Sequence, residues 1–173
     1  LYEFKHDLNA YLAGLPDPDL AGMTLADLIE FNRNHANTEM PWFDQEIFEQ
    51  AQAKGPLSDD TYLEALAAVQ KATRADGLDK LLAEHELDAL IAPTGSAAWT
   101  IDLINGDHFI GGSSSLAAIS GYPNITLPMG QIHGMPVGLS IFGAKFSEPV
   151  LVEIASGFEH VAGGFRPPML KAP

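Results

Sequence analysis

The sequence predicts an α/β fold in which helices pack on a small mixed sheet. Two observations carry this. Apolar residues recur at helical spacing through the first half and again over 147–162, and three short apolar runs bounded by breakers lie between them. Those runs are Asp88–Ala92, closed by Pro93, then Asn124–Met129 and Val137–Phe142. A strand, a long loop, a helix and two further strands form the frame of an α/β layer.

In chain order, Leu1–Leu12 places Leu1, Phe4, Leu8, Tyr11 and Leu12 on one helical stripe, and the Pro16–Asp19 stretch ends it. Thr24–Asn34 opens with Thr24 and Asp27 in capping-box spacing, and Leu25, Leu28 and Ile29 share a face. Pro41 interrupts the chain, and Asp44–Lys54 reads as a short acidic helix closed by Gly55-Pro56. Asp59–Ala75 is a long helix with a Tyr62, Leu66, Val69 stripe and Leu63 beside it; Gly77 breaks it and Leu78–His85 resumes. Ser113–Ser120 gives two helical turns with serines placed to cap the free amides. The strands at 124–129 and 137–142 are joined by a Gly/Pro loop. Ser147–Ala162 presents Val150, Leu151, Ile154, Ala155, Phe158 and Val161 as a wide buried face, with Pro149 in the first turn and Gly163-Gly164 at the end. Phe165–Leu170 reads as an extended tail.

The 173 residues fit one domain, or one compact piece of a larger one, and 46% hydrophobic content suffices for a core. Nine basic against 23 acidic residues give a net charge of −14. That surface repels phosphate backbones and anionic bilayers, so neither nucleic acid nor membrane is expected as a partner. No run reaches membrane-spanning length, and the first residues lack the pattern of a secretory leader. The absence of cysteine removes disulfides and thiol chemistry. It points to a cytoplasmic location, with a periplasmic or secreted parent as the alternative.

Site candidates concentrate in Thr94–Gly112, a long loop too polar for core, which holds Trp99, Asp102, Asn105, Asp107, His108 and Phe109. Gly106–Ser113 (GDHFIGGS) approaches the phosphate-loop pattern G-x-x-x-x-G-K-S/T, but Gly112 stands where the lysine belongs. A tight turn into a helix is the simpler reading. The six histidines show no pair four apart on a helix and no H-E-x-x-H, so no metal site is expected. Ser113-Ser114-Ser115 invites a nucleophile, yet no G-x-S-x-G elbow is present and Asp107-His108 are sequence neighbours that do not face each other in extended chain. Trp99 and Phe109 either line an apolar pocket or pin the loop to the core.

Taken together, D-A-L-I-A-P-T, N-G-D-H-F, G-G-S-S, A-A-I-S-G-Y-P-N-I-T-L-P-M-G and G-M-P-V-G-L-S-I-F-G form an ordered pattern over 88–143. It resembles the C-terminal part of amidase signature enzymes. Glu39–Glu46 (EMPWFDQE) and Glu3–Leu12 (EFKHDLNAYL) fit the same family, in its peptide-amidase-like branch, and the resemblance covers nearly the whole chain.

The resemblance implies hydrolysis of linear amides, among them peptide C-terminal amides, by a Ser–Ser–Lys triad without metal or organic cofactor. In the family the lysine comes first, then a serine in G-G-S-S-G-G, then the nucleophile in a G-x-D-x-G-G-S-I-R-like segment, all N-terminal to the part matched here. Gly111–Ser115 (GGSSS) lacks the second glycine pair, and Lys80 lacks the family's surroundings. No triad residue is therefore assigned.

The resemblance implies a single domain over 1–173 that is the C-terminal fragment of a larger amidase: 1–86 mainly helical, 87–143 the strand and loop core, and 147–162 the final helix. It would complete the sheet and one wall of the substrate cleft, and would be inactive alone. The implied partner is a small-molecule or peptide amide. Trp99 and Phe109 would give apolar contact, Asn105 and Asp107 polar contact, and His108 a hydrogen bond to substrate; each equally reads as a residue that only orders the loop. Exposed apolar surface of such a fragment would favour a homodimer. Two alternatives are a non-catalytic binding or scaffold domain of amidase ancestry, and a self-sufficient hydrolase using Ser113–Ser115 with His108.

Overall fold

The computed structural model describes residues 1–163; the expected tail at Phe165–Leu170 lies outside them. Contacts gather the described residues into two compact units, 1–66 and 67–163.

The first unit is helical. It holds α1 (Tyr2–Ala13), α2 (Leu25–Asn34), a short α3 (Ala36–Glu39) and α4 (Glu46–Gln52). Its core is Leu25, Ile29 and Ala51, with Leu8 and Phe48 packed against them. The capping box at α2 forms: the Thr24 amide and hydroxyl both donate to Asp27 Oδ2, at 2.8 and 2.6 Å. The Thr24 hydroxyl, then its amide, hold the Asp27 carboxyl below its usual range. Lys5 Nζ donates to the carbonyls of Gln52 and Lys54, placing a cation at the end of α4 where carbonyls lack partners. Gln45 is nearly buried, donating to Ile29 C=O at 3.0 Å and accepting from Asn32 at 3.1 Å. The α1 stripe buries only Leu12; Tyr11 stays 65% exposed.

Helix α5 (Asp60–Thr73) crosses the boundary between the units. Its expected apolar stripe is not buried: Leu63 and Val69 are exposed and Tyr62 and Leu66 only half-buried. A π-helical turn, Arg74–Leu78, follows, with Gly77 out of helical geometry (φ −112°, ψ −107°), before α6 (Asp79–Glu84). A Cβ on Gly77 would lie 2.6 Å from the Ala72 carbonyl oxygen, so the break needs glycine.

The second unit is built on three strands in the order β1-β3-β2: β1 (Leu90–Pro93), β2 (Asn124–Ile132) and β3 (Met135–Phe142). The α/β class holds, and within this sheet both pairings are antiparallel. The expected Gly/Pro loop between the last two strands is instead a tight hairpin. His133 (φ 51°) and Gly134 (φ 82°) both adopt left-handed backbone, the geometry of a two-residue hairpin turn, so the strands run on through Pro128 and Pro136. A bulge between Pro128 and Gly130 absorbs the irregularity.

Alternation along β3 divides the core. Leu139 and Ile141 join Leu127, Leu151 and Ala155 under the final helix, α8 (Glu148–Ala162). Phe142, on the other face, meets Leu78 and Ala117 of α7 (Ser114–Ser120). The buried face of α8 is narrower than its pattern suggests, since Val150 is exposed and Val161 is 86% exposed. Gly163 closes α8 in left-handed conformation. Arg74 Nε donates to Ser120 C=O at 2.7 Å and its guanidinium lies over the Tyr122 ring, while the Tyr122 hydroxyl donates to Asp79. Among the described residues no helix is long and apolar enough to cross a membrane.

Candidate functional site

The loop 94–112 is held at its neck. Gly95 and Gly112 form a bridge, the Ser113 amide donates to Thr94 C=O at 3.2 Å, and the Thr94 amide donates to Gly138 C=O at 2.7 Å. Thr94 therefore continues the register of β1 against β3 by one residue. Its hydroxyl folds over β3: Thr94 Oγ1 lies 2.6 Å from Thr126 Oγ1 and 2.9 Å from Ser140 Oγ. The crossing is possible because β3 carries Gly138 there, where a Cβ would sit 2.8 Å from Thr94 Oγ1 and 3.0 Å from Thr126 Oγ1. Three hydroxyls share two hydrogen bonds, which leaves one hydroxyl proton for an outside acceptor.

Beyond the neck, Asp102 organises the turn. Its Oδ1 accepts from the Ile104 and Asn105 amides and its Oδ2 from the Asn105 side chain, each at 2.9 Å. The Asn105 amide first, then its side chain, then the Ile104 amide hold the Asp102 carboxyl below the ordinary range. Further along, Trp99 Nε1 donates to Asp107 Oδ1 at 3.2 Å, and the Trp99 and Phe109 rings meet edge-on with centroids 6.3 Å apart.

Of the five residues singled out from sequence, Trp99, Asp107 and Phe109 thus stand together. Asn105 is committed to Asp102, and His108 is exposed outside this set. Ser113 does not cap the helix as expected. Ser113 precedes α7 without a side-chain capping bond, and its buried Oγ has no hydrogen-bond partner, so no base adjoins it. Sequence reading overlooked Thr94, Thr126, Ser140 and Gly138, which are ordinary residues until strand register brings them together. Among the described residues no three acidic or histidine side chains converge to hold a metal ion. A concavity of about 570 Å³ adjoins the Thr94–Thr126–Ser140 clasp along the hairpin, lined by Thr126, Leu127, Met129, Val137, Gly138 and Ala162 among others.

The arrangement offers two aromatic rings, a carboxylate with one oxygen engaged, and a pinned neck with a surplus hydroxyl proton.

No family model matches the chain. A probable amidase of Arabidopsis thaliana is 37% identical over 97% of this chain, which spans 29% of that protein. The native peptide amidase of Stenotrophomonas maltophilia superposes with a TM-score of 0.87 at 42% identity, covering 99% of this chain and 34% of that one. The peptide amidase PAM, solved with the competitive inhibitor chymostatin, gives a TM-score of 0.89 at 43% identity, covering 98% and 34%. The chain thus spans about three-tenths of the length of the curated relative. By sequence and fold the chain matches the C-terminal part of amidase signature proteins.

Proposed function

We propose that this chain is the substrate-recognition portion of an amidase acting on linear amides, with peptide C-terminal amides as the favoured class, and that it supplies a wall of the cleft and no catalytic group. The Trp99–Asp107–Phe109 grouping on a loop pinned at both ends carries the reading. Aromatic rings suit an apolar side chain next to the scissile bond. The free oxygen of Asp107 accepts from an amide N–H and repels the carboxylate formed on hydrolysis, which favours amide over acid. On this reading residues 1–173 act as one piece of a larger amidase domain, and the triad is supplied by the portion of the fold that this chain does not span.

The test is a chimera in which this chain replaces the matching third of the Stenotrophomonas peptide amidase, assayed by ammonia release from peptide amides. Asp107→Asn and Phe109→Ala are each expected to raise KM about tenfold, a loss of about 1.4 kcal/mol in binding, with kcat changed less. Unchanged KM in both would remove the loop from the cleft.

A further inference from the structure

The Asp102 turn holds apart the two groups of a reaction that the recognition reading does not use. Of the six asparagines in the chain, only Asn105 is followed by glycine. A glycine has no Cβ to keep its backbone nitrogen away from the preceding side-chain amide. Both residues are exposed, and Gly106 stands at φ 80° with open space where a Cβ would be. One residue restrains both groups. The Gly106 amide donates to Asp102 C=O at 3.1 Å, and Asn105 Nδ2 donates to Asp102 Oδ2 at 2.9 Å. The Asn105 backbone amide, bonded to Asp102 Oδ1 at 2.9 Å, fixes the chain between them.

We propose that Asn105–Gly106 is a self-modification site, at which a deamidation held back by Asp102 opens the turn once it has occurred. In this step the Gly106 nitrogen gives its proton to hydroxide and bonds to Asn105 Cγ. The Cγ–Nδ2 bond breaks, and the side-chain nitrogen takes a proton from water and leaves as ammonia. A five-membered imide remains. One water molecule then opens it at either carbonyl, giving aspartate or isoaspartate at position 105. Water is consumed, ammonia is released, and nothing is oxidised or reduced. For the nitrogen to attack, Gly106 N–H must leave Asp102 C=O and Asn105 Nδ2 must leave Asp102 Oδ2, so a local opening of the turn precedes the reaction. The product replaces a donor by a second carboxylate beside Asp102, and the bond that closed the turn becomes a repulsion. The change is one-way and adds one negative charge to the chain's −14. It lies between Trp99 and Asp107 in sequence, and it is independent of what the loop binds.

The experiment incubates the chain in warm, mildly alkaline buffer beside a synthetic peptide of its residues 100–110. A mass gain of about 1 Da per event is followed and located by fragment mass spectrometry, and isoaspartate is counted by enzymatic methylation. The folded chain is expected to react at Asn105 about tenfold more slowly than the peptide, because it must first give up hydrogen bonds to a charged group. Asp102→Ala should react at close to the peptide's rate while its melting temperature stays within about 2 °C of the native value. Asp102→Ser, read the same way, serves if the alanine variant does not fold. Asn105→Ser should gain no mass at this position. Equal rates in the native chain and the Asp102 variants, or in the native chain and the peptide, overturn the restraint by Asp102. A mass gain confined to another asparagine overturns the site. Asn105→Asp carries one of the two products, and its Ile104 amide should exchange about tenfold faster than in the native chain. Unchanged exchange there overturns the opening of the turn.

Discussion

Thr94 Oγ1 and Thr126 Oγ1 lie 2.6 Å apart across the width of the central strand. One belongs to the first residue of the loop and the other to the far edge of the sheet, so this contact fixes how the loop leaves the fold. Ser140 completes the clasp from β3 itself. Replacing Thr94 by valine keeps the shape and removes both bonds. We expect a loss of about 1–2 kcal/mol in unfolding free energy, together with faster amide exchange at Ser113. Thr94→Ser should restore most of it. Exchange at Ser113 unchanged in the valine variant would show that the backbone bonds alone hold the neck.

Gly138 is the space through which that clasp closes. Gly138→Ala places a methyl 2.8 Å from Thr94 Oγ1 and 3.1 Å from Thr94 Cβ, and should destabilise the second unit by about 1–3 kcal/mol. Thr94→Ala on the same chain removes the nearer clash. The double variant is therefore expected to lose less than the sum of the two single ones, a coupling that a denaturant double-mutant cycle measures. Strict additivity would mean that the two residues do not meet.

The Asp102 turn is sensitive to acid. Its carboxyl is held below the ordinary value of 3.8 because the folded loop donates three hydrogen bonds to the ionised form. A depressed carboxylate contributes order that is complete above its unfolded pKa and is lost as pH falls through the folded one. The loop should therefore stay ordered at pH 5 and loosen below about pH 3.8, seen as rising mobility of Trp99 fluorescence. Asp102→Asn should flatten that acid transition. A transition of the same size in the variant would assign it to another group.

Arg74 joins the π-helical turn to the end of α7 through Ser120 C=O and the Tyr122 ring. Arg74→Met retains the stem and removes the charge-assisted bond and the ring contact. A loss of about 1–3 kcal/mol by urea unfolding is expected. Tyr122→Phe should cost less, since it removes only the bond to Asp79.

The frame of the second unit was readable from period and breakers alone. Val137–Phe142 is continuous and apolar because both faces of a central strand are covered, and the Leu127, Leu139, Ile141 side needed only a facing helix. The hairpin was not readable as such. Pro128, Gly130, Gly134 and Pro136 look like a loop until His133 and Gly134 take up positive φ and the bulge takes up the offset. The stripes of α5 and α8 show the limit of periodicity, which records that a face is to be covered and says nothing of what covers it. Leu63, Val69 and Val161 are apolar on schedule and exposed. In the loop, composition pointed to Trp99, Asp107 and Phe109. Their contacts span eight and ten residues, and no adjacency rule reveals them. The serine cap failed because Ser113 spends its backbone amide on Thr94 and its hydroxyl on nothing.

On our proposal this chain selects amides and leaves the bond-breaking to other residues of the fold. Ammonia release from a panel of peptide amides, measured side by side for the isolated chain and for its chimera with the Stenotrophomonas peptide amidase, tests it most directly. No release by the chain alone and turnover by the chimera are expected. Turnover by the chain alone that survives repurification and is abolished by Ser113→Ala would contradict it, and would place the nucleophile in the GGSSS stretch.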